Sequence, residues 1–148
     1  MSILKKSKIL ATFTAAVLSV AISQVALNQK VLAHGDGAPQ PVDTTGLKEL
    51  GKDWLKRNPY KGNEKAIEIG SSGYNSNCAR CHGLEVKSGG ASPDLRYLED
   101  DAEGDEWYIN RVRKGYHQNG VTKMPKFEGL ISQEAMWAIR TYIDSRPE

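Results

Sequence analysis

Two cysteines and a histidine lie close together in the chain, in the order Cys78-Ala79-Arg80-Cys81-His82. Because three positions separate the thiols, on about one helical turn both sulfurs face the same side and the next residue presents an imidazole. Thiols at this spacing add to the two vinyl groups of a haem, and the imidazole becomes an axial iron ligand. The motif predicts one covalent haem c, attached through Cys78 and Cys81, with His82 on the iron.

Two other chemistries use a Cys-x-x-Cys pair. A redox-active dithiol needs no histidine at the following position. A zinc site needs further cysteine or histidine ligands beyond this pair. Both alternatives explain the motif less completely than haem attachment does.

A low-spin electron carrier needs a second axial ligand, usually methionine or histidine. The chain has three methionines. Met1 belongs to a leader sequence, and Met136 belongs to the apolar stripe of a predicted helix. Met124 precedes Pro125, which disfavours the α conformation and predicts extended backbone there. We therefore predict that Met124 is the sixth ligand.

Other residues compete for this role or for contacts with the haem. His117 is the main rival, and Lys123 is a weaker alternative at high pH. A proline carbonyl in the segment 92–95 is a candidate acceptor for the Nδ1 proton of His82, which would fix the ring. Leu84 and Leu95 are candidate haem walls. The candidate propionate partners, none of which the sequence assigns, are Trp54, Arg96, Tyr97, Trp107 and Arg111.

Residues 1–33 have the pattern of a secretory signal peptide. Lysines begin the segment, residues 9–22 are almost wholly apolar, and Val31-Leu32-Ala33 forms a small-residue cleavage site. The apolar run is shorter than the ~20 residues that span a bilayer. We predict cleavage near Ala33, a periplasmic location and no membrane span in the mature form. Haem attachment in bacteria takes place in that compartment, so the leader and the cysteine motif agree.

Cleavage after Ala33 would leave 115 residues with 16 basic and 18 acidic side chains, a formal charge of −2. This length suits one domain, and the charge implies no nucleic-acid partner. We predict an N-terminal extension over residues 34–63, packed on the domain with one helical turn around Leu47–Leu55. The domain itself is predicted over residues 64–148, and a monomer is expected.

Three helical segments follow the extension, and no strand signal separates them. Asn63 is the expected N-cap of the first, Asp105 of the second and Ser132 of the third, with Gly115 closing the second. Apolar residues from Ala135 to Ile143 recur at helical spacing. The fold class is therefore predicted to be all-α.

The sequence from about Ala66 to Ile143 resembles the monohaem class I cytochromes c. The residues that carry this resemblance, in the expected order, are Tyr74, Cys78 to Gly83, Pro93 to Leu95, Met124-Pro125 and Tyr142. The resemblance implies that the N- and C-terminal helices cross beside one haem, with methionine approaching from the side opposite histidine. It also implies that Gly70 and Tyr142 lie where these helices meet.

A narrower resemblance covers nearly all of the mature chain and points to the PedF-type cytochromes c. It is carried by Val42 to Leu47, Asn58 to Tyr60, Cys78 to Glu85, Lys87 to Gly90, Glu103 to Trp107 and Gln133 to Tyr142. Those proteins are soluble periplasmic electron acceptors of PQQ-dependent (quinoprotein) alcohol dehydrogenases. The resemblance implies such a dehydrogenase as electron donor and a terminal oxidase or another cytochrome as acceptor.

The sequence thus predicts a one-electron shuttle and not an enzyme. A haem enzyme or sensor, which needs a displaceable sixth ligand, is the alternative. Four lysines are candidates for a ring that steers a negatively charged dehydrogenase towards the haem edge, although solvated surface lysines have the same appearance. They are Lys87, Lys114, Lys123 and Lys126.

Overall fold

The computed structural model describes residues 38–90 and 92–146, so the predicted signal peptide lies outside the described residues. Within the described part, four α-helices, two short 3₁₀ turns and one two-stranded hairpin follow a long N-terminal segment. The helices are α1 (Glu64–Asn77), α2 (Ala79–His82), α3 (Ala102–Lys114) and α4 (Gln133–Asp144). The 3₁₀ turns are Leu84–Val86 and Leu95–Tyr97, and the strands are β1 (Tyr116–Gln118) and β2 (Val121–Met124). None of the helices in this part of the chain is long and apolar enough to cross a membrane.

Three of the predicted helix ends are confirmed. The Asn63 side chain accepts a hydrogen bond from the Ala66 amide at 3.0 Å, and the Ser132 hydroxyl accepts one from the Ala135 amide at 3.1 Å. Each side chain satisfies a backbone donor that the first turn of a helix leaves free. Gly115 closes α3, as predicted.

The predicted start of α3 at Asp105 is wrong. Asp101 is the N-cap, and its carboxylate accepts hydrogen bonds from the amides of Glu103 and Gly104 at 3.0 and 2.9 Å. Asp105 lies one turn further on, buried, with its carboxylate 3.2 Å from the Arg140 guanidinium. Both aspartates have a side chain that suits an N-cap. Asp105 instead faces the core, where it contacts Arg140 and accepts a hydrogen bond from the Asn58 amide at 2.9 Å.

Helices α1 and α4 cross beside Gly70, as the resemblance implied. A Cβ atom at Gly70 would overlap the carbonyl oxygen of Ala138 and lie 2.9 Å from the Cβ of Tyr142. One turn along, the rings of Tyr74 and Tyr142 pack with their centroids 5.4 Å apart. The missing side chain lets the two backbones touch, and this close crossing fixes the end of α1, where Cys78 lies.

The hairpin was not predicted. β1 and β2 pair antiparallel, with Tyr116 opposite Met124 and His117 opposite Thr122. All of its residues are exposed except Met124, which is half-buried against the core. The hairpin is a small addition to a helical domain, and it places Met124 in the extended backbone that Pro125 predicts.

The segment before α1 contacts the N-terminal end of α4. The amides of Leu50 and Leu55 donate to the side chains of Glu134 and Gln133 at 2.8 and 2.7 Å, and Gln133 also donates to the Asp53 carbonyl. The helical turn predicted around Leu47–Leu55 does not form. Side chains of α4 accept hydrogen bonds from two of its amides instead, and the segment is irregular, with Gly51 at φ +79°. The boundaries at residues 33 and 63 stay predictions.

Arg140 forms a buried ionic cluster in the core. It is fully buried and contacts the carboxylates of Asp105 and Asp144, each at 3.2 Å, and donates to the Glu99 carbonyl at 2.5 Å. Burial raises the pKa of Asp144 to about 6, although the Arg140 charge opposes this shift. The cluster joins α3, α4 and the loop before α3.

Candidate functional site

The Cys78–His82 motif forms a single turn at the end of α1. The Cys78 amide donates to the Tyr74 carbonyl at 2.7 Å, so Cys78 completes the hydrogen-bonding pattern of the last turn of α1. The amides of Cys81 and His82 both donate to the Cys78 carbonyl, at 3.1 and 3.0 Å. Cys78 is half-buried and Cys81 is exposed. The motif therefore forms the single turn that haem attachment requires, in which two thiols can reach one porphyrin edge and the imidazole can reach the iron.

His82 is oriented by the loop that follows it. Its Nδ1 lies 2.9 Å from the carbonyl oxygen of Pro93, as the sequence predicted. Because a carbonyl oxygen only accepts, Nδ1 carries the proton and Nε2 keeps its lone pair, the tautomer that binds a metal. This donor set fits a haem: two thiols and one imidazole with a free Nε2, all on the same turn.

The loop carrying Pro93 is itself fixed by an ion pair. Asp94 accepts from the Arg96 backbone amide at 3.1 Å and pairs with its guanidinium at 2.8 Å. The hydrogen bond from the Arg96 side chain lowers the pKa of Asp94 to about 2. Asp94 therefore stays charged at neutral pH and keeps the Pro93 carbonyl beside His82. Arg96 was a candidate propionate partner, and in this structure it holds the Asp94 turn.

Tyr74 supports the other end of the motif, a role that the sequence analysis missed. Its buried hydroxyl donates to the Gly83 carbonyl at 2.9 Å, directly after His82. Burial raises the pKa of Tyr74 well above its usual value, so the hydroxyl remains a donor. The available signal was a tyrosine, instead of phenylalanine, at a core position of α1, because a buried hydroxyl needs a partner.

The environment of Cys78 does not suit a redox dithiol or a zinc site. Burial raises the pKa of the Cys78 thiol to about 12, whereas reactive cysteines have lowered pKa values. Among residues 38–90 and 92–146, no cluster of three or more His, Cys, Asp or Glu side chains could hold a metal ion. The surroundings of Cys78 therefore favour neither a redox-active dithiol nor a zinc site.

Met124 and His117 lie in different environments on the hairpin. Met124, at the end of β2, is half-buried and packs against the hydrophobic core. The next residues continue along the end of α3, where the Phe127 amide donates to the Val112 carbonyl at 3.0 Å. His117 is exposed on β1, with its Nδ1 3.0 Å from the Thr122 hydroxyl. Of these two residues, Met124 is the one whose side chain packs against the apolar core.

The residues predicted to contact the haem or to steer the donor lie in several different parts of the structure. The Arg111 guanidinium lies over the rings of Trp107 and Tyr116, 5.0 and 4.3 Å from their centroids. Trp107 and Arg111 also line a surface groove of about 460 Å³ along α3. Trp54 instead lies under Arg113, 4.2 Å away. Leu84 and Tyr97 are exposed, and Leu95 is half-buried. The four candidate steering lysines, Lys87, Lys114, Lys123 and Lys126, are all exposed.

Comparison with known proteins defines the class. The family described as "Cytochrome C oxidase, cbb3-type, subunit III" matches residues 65–143, which span α1 to α4 and the whole candidate site. The chain belongs to the cytochrome c family. It is a haem c electron carrier with the class I cytochrome c fold, and it is not an enzyme; members of this family hold their haem covalently.

Two characterised relatives refine this assignment. The chain is 54% identical to cytochrome c550 of Pseudomonas aeruginosa strain PAO1 over 128 residues, which is 84% of this chain and 88% of that protein. It is also 33% identical over 89 residues to the quinohemoprotein alcohol dehydrogenase ADH-IIG of Pseudomonas putida, covering 60% of this chain but 12% of that enzyme. No solved structure matches the chain significantly.

Proposed function

We propose that this protein is a periplasmic one-electron carrier between a PQQ-dependent alcohol dehydrogenase and a respiratory acceptor. In this proposal Cys78 and Cys81 hold the haem as thioethers, and His82 and Met124 are the axial ligands of its iron. The hydrogen bond from His82 Nδ1 to Pro93 is the main support for this site, because it leaves Nε2 free to bind iron on the turn that carries both cysteines. When bound, the haem iron supplies the one-electron couple.

The protein's contribution is to hold both ligand-bearing segments still. On one side, the Pro93 carbonyl and the bond from Tyr74 to Gly83 restrain the turn that carries His82. On the other side, the hairpin and its contacts with α3 restrain Met124. With both ligands retained in the two oxidation states, little has to reorganise during electron transfer. A thioether ligand and burial away from water favour the reduced iron and raise its potential.

Covalent attachment has a direct test on the native protein. After full unfolding in denaturant and electrophoresis, the haem should remain with the chain, since only thioether bonds survive loss of the fold. The attached haem should be lost to extraction in a variant lacking both thiols. Release of haem from the unfolded native protein would contradict the assignment of Cys78 and Cys81.

The similarity to a quinohemoprotein alcohol dehydrogenase supports the choice of donor. A segment of that enzyme resembles this chain, so a related haem domain works beside alcohol oxidation within one polypeptide. The cytochrome described here would perform the same transfer as a separate protein. The predicted signal peptide over residues 1–33 supports the periplasm as the place where the two proteins meet.

We expect the lysines around Met124 to accelerate reduction by the dehydrogenase. Lys123 lies on β2 next to Met124 and is exposed, whereas Lys52 is exposed on the segment before α1. Replacing Lys123 with glutamine should lower the second-order rate constant by about two- to fivefold at low salt, because a charge at the rim of a transient interface mainly affects the association rate. Stopped-flow reduction by purified quinoprotein alcohol dehydrogenase measures this rate.

Lys52→Gln is the matched control, since it removes the same charge from an exposed lysine outside the hairpin, on the segment before α1. For the native protein and the control, the rate should fall as ionic strength rises, because salt screens exposed charges. A native rate that is indifferent to salt would exclude electrostatic steering. Failure of quinoprotein alcohol dehydrogenases to reduce the native cytochrome would exclude the proposed donor.

A further inference from the structure

Gly115 ends α3 in a backbone conformation reserved for glycine. Its φ is +71° and its ψ is −161°, a region that residues with a side chain almost never occupy. Its amide donates to the Arg111 carbonyl at 2.8 Å and so completes the last turn of α3. The chain then enters β1 at Tyr116, which pairs with Met124.

The backbone around Met124 lies directly against Gly115. A Cβ atom at Gly115 would overlap the carbonyl oxygen of Met124, and it would lie 2.8 Å from both the carbonyl carbon of Pro125 and the amide nitrogen of Lys126. All three neighbours are backbone atoms, so no change of side-chain rotamer could relieve the contact. The segment 124–126 can occupy its position only because residue 115 has no side chain.

Further contacts fix this segment on both sides of Met124. On one side, Tyr116 pairs with Met124, and the ladder becomes irregular between Tyr116 and His117. On the other side, the Phe127 amide donates to the Val112 carbonyl at 3.0 Å. Gly115 lies between Val112 and Tyr116 in the chain, against the backbone of residues 124–126. Its backbone therefore sets how near the end of α3 the Met124 carbonyl can come.

We propose that Gly115 is a positioning residue for the sixth haem ligand. By allowing the Met124 backbone to lie against the end of α3, it holds the Met124 sulfur at the iron and prevents exchange with outside ligands. This inference rests on the proposed function, in which Met124 is the axial ligand. Any side chain at position 115 would move the Met124 backbone away and weaken the iron–sulfur bond.

Gly115→Ala in the holo-protein tests the inference, and Gly120→Ala is the matched control. Gly120 lies at the tip of the same hairpin with φ +75°, but a Cβ there would meet nothing within 4 Å. Both variants carry the strain of an alanine at positive φ, and only Gly115→Ala crowds Met124. The readouts are the absorption band of the ferric iron–thioether bond and the affinity of the ferric protein for imidazole.

For Gly115→Ala we expect a weaker thioether band and an imidazole affinity raised by about tenfold, which is the scale of a modest overpacking penalty. Gly120→Ala should keep the native values, whatever its thermal stability. Equal values for the two variants would overturn the inference. Met124→Ala distinguishes failure of this inference from failure of the proposed function. If it leaves the thioether band unchanged, Met124 is not the axial ligand.

A second pair of variants applies if Gly115→Ala does not accumulate as holo-protein. One glycine inserted between Gly115 and Tyr116 removes the close approach without adding a side chain, and one glycine inserted between Asn119 and Gly120 lengthens only the hairpin tip. The first insertion should weaken the thioether band and the second should not. The same band in both insertion variants would contradict the role of Gly115.

Discussion

Replacing Met124 with alanine should lower the reduction potential by on the order of 100 mV and open the iron to outside ligands. A thioether accepts electron density and favours ferrous iron, so its loss stabilises the ferric state. Because Met124 packs against the core, the substitution also leaves an apolar space beside the proposed iron position. Potentiometric titration measures the first effect, and the rate of carbon monoxide binding to the reduced protein measures the second.

His117→Ala is the control for this prediction. His117 is exposed on the strand that pairs with β2, so its loss should leave the potential and the carbon monoxide rate close to native values. If Met124→Ala leaves both unchanged and His117→Ala alters them, the sixth ligand is His117. Rapid and complete carbon monoxide binding by the native protein would show instead that no stable sixth ligand exists.

Replacing Arg140 with alanine should lower the free energy of unfolding by about 3–5 kcal/mol, the usual effect of removing one partner from a buried ion pair. Arg140 is fully buried between Asp105 and Asp144. Without it, Asp144 remains inside without its ion-pair partner, and Asp105 keeps only the largely exposed Arg57. The Glu99 carbonyl would also lose its donor. Denaturant unfolding of the holo-protein measures the change.

Arg57→Ala is the matched control because Arg57 contacts the same carboxylate from the surface. Its guanidinium lies 3.6 Å from Asp105, with two thirds of its side chain exposed. Because the Arg57 side chain is largely in water and its contact is long, we expect it to contribute about 0–1 kcal/mol, so the control should unfold almost like the native protein. Similar losses in the two variants would mean that burial of Arg140 is not what makes the cluster stabilising.

The Cys78–His82 turn and the helical class were predictable because they depend on neighbours in the sequence. Cys78, Cys81 and His82 need only one helical turn to come together, and Asn63 and Ser132 act on amides three positions away. The extended backbone of Met124 follows from Pro125 by local sterics alone. These features require no knowledge of the rest of the fold.

The errors arose where a distant residue decides the outcome. Asp105 suits a helix cap by residue type, but Arg140 on another helix draws it into the core. The segment around Leu47–Leu55 has helical spacing, yet side chains of α4 accept hydrogen bonds from two of its amides, and no helix forms. Local propensity amounts to a fraction of a kcal/mol per residue, so a buried ion pair or several hydrogen bonds override it.

The sequence by itself determined the cofactor of this protein, a covalent haem, and it predicted which histidine and methionine would bind the iron. The tertiary structure decided how firmly those residues are held. Pro93 directs His82, Tyr74 restrains Gly83, and Gly115 admits the Met124 backbone. The physical reason is that attachment depends on the order of residues along one turn, whereas positioning depends on contacts between segments that only the folded chain brings together.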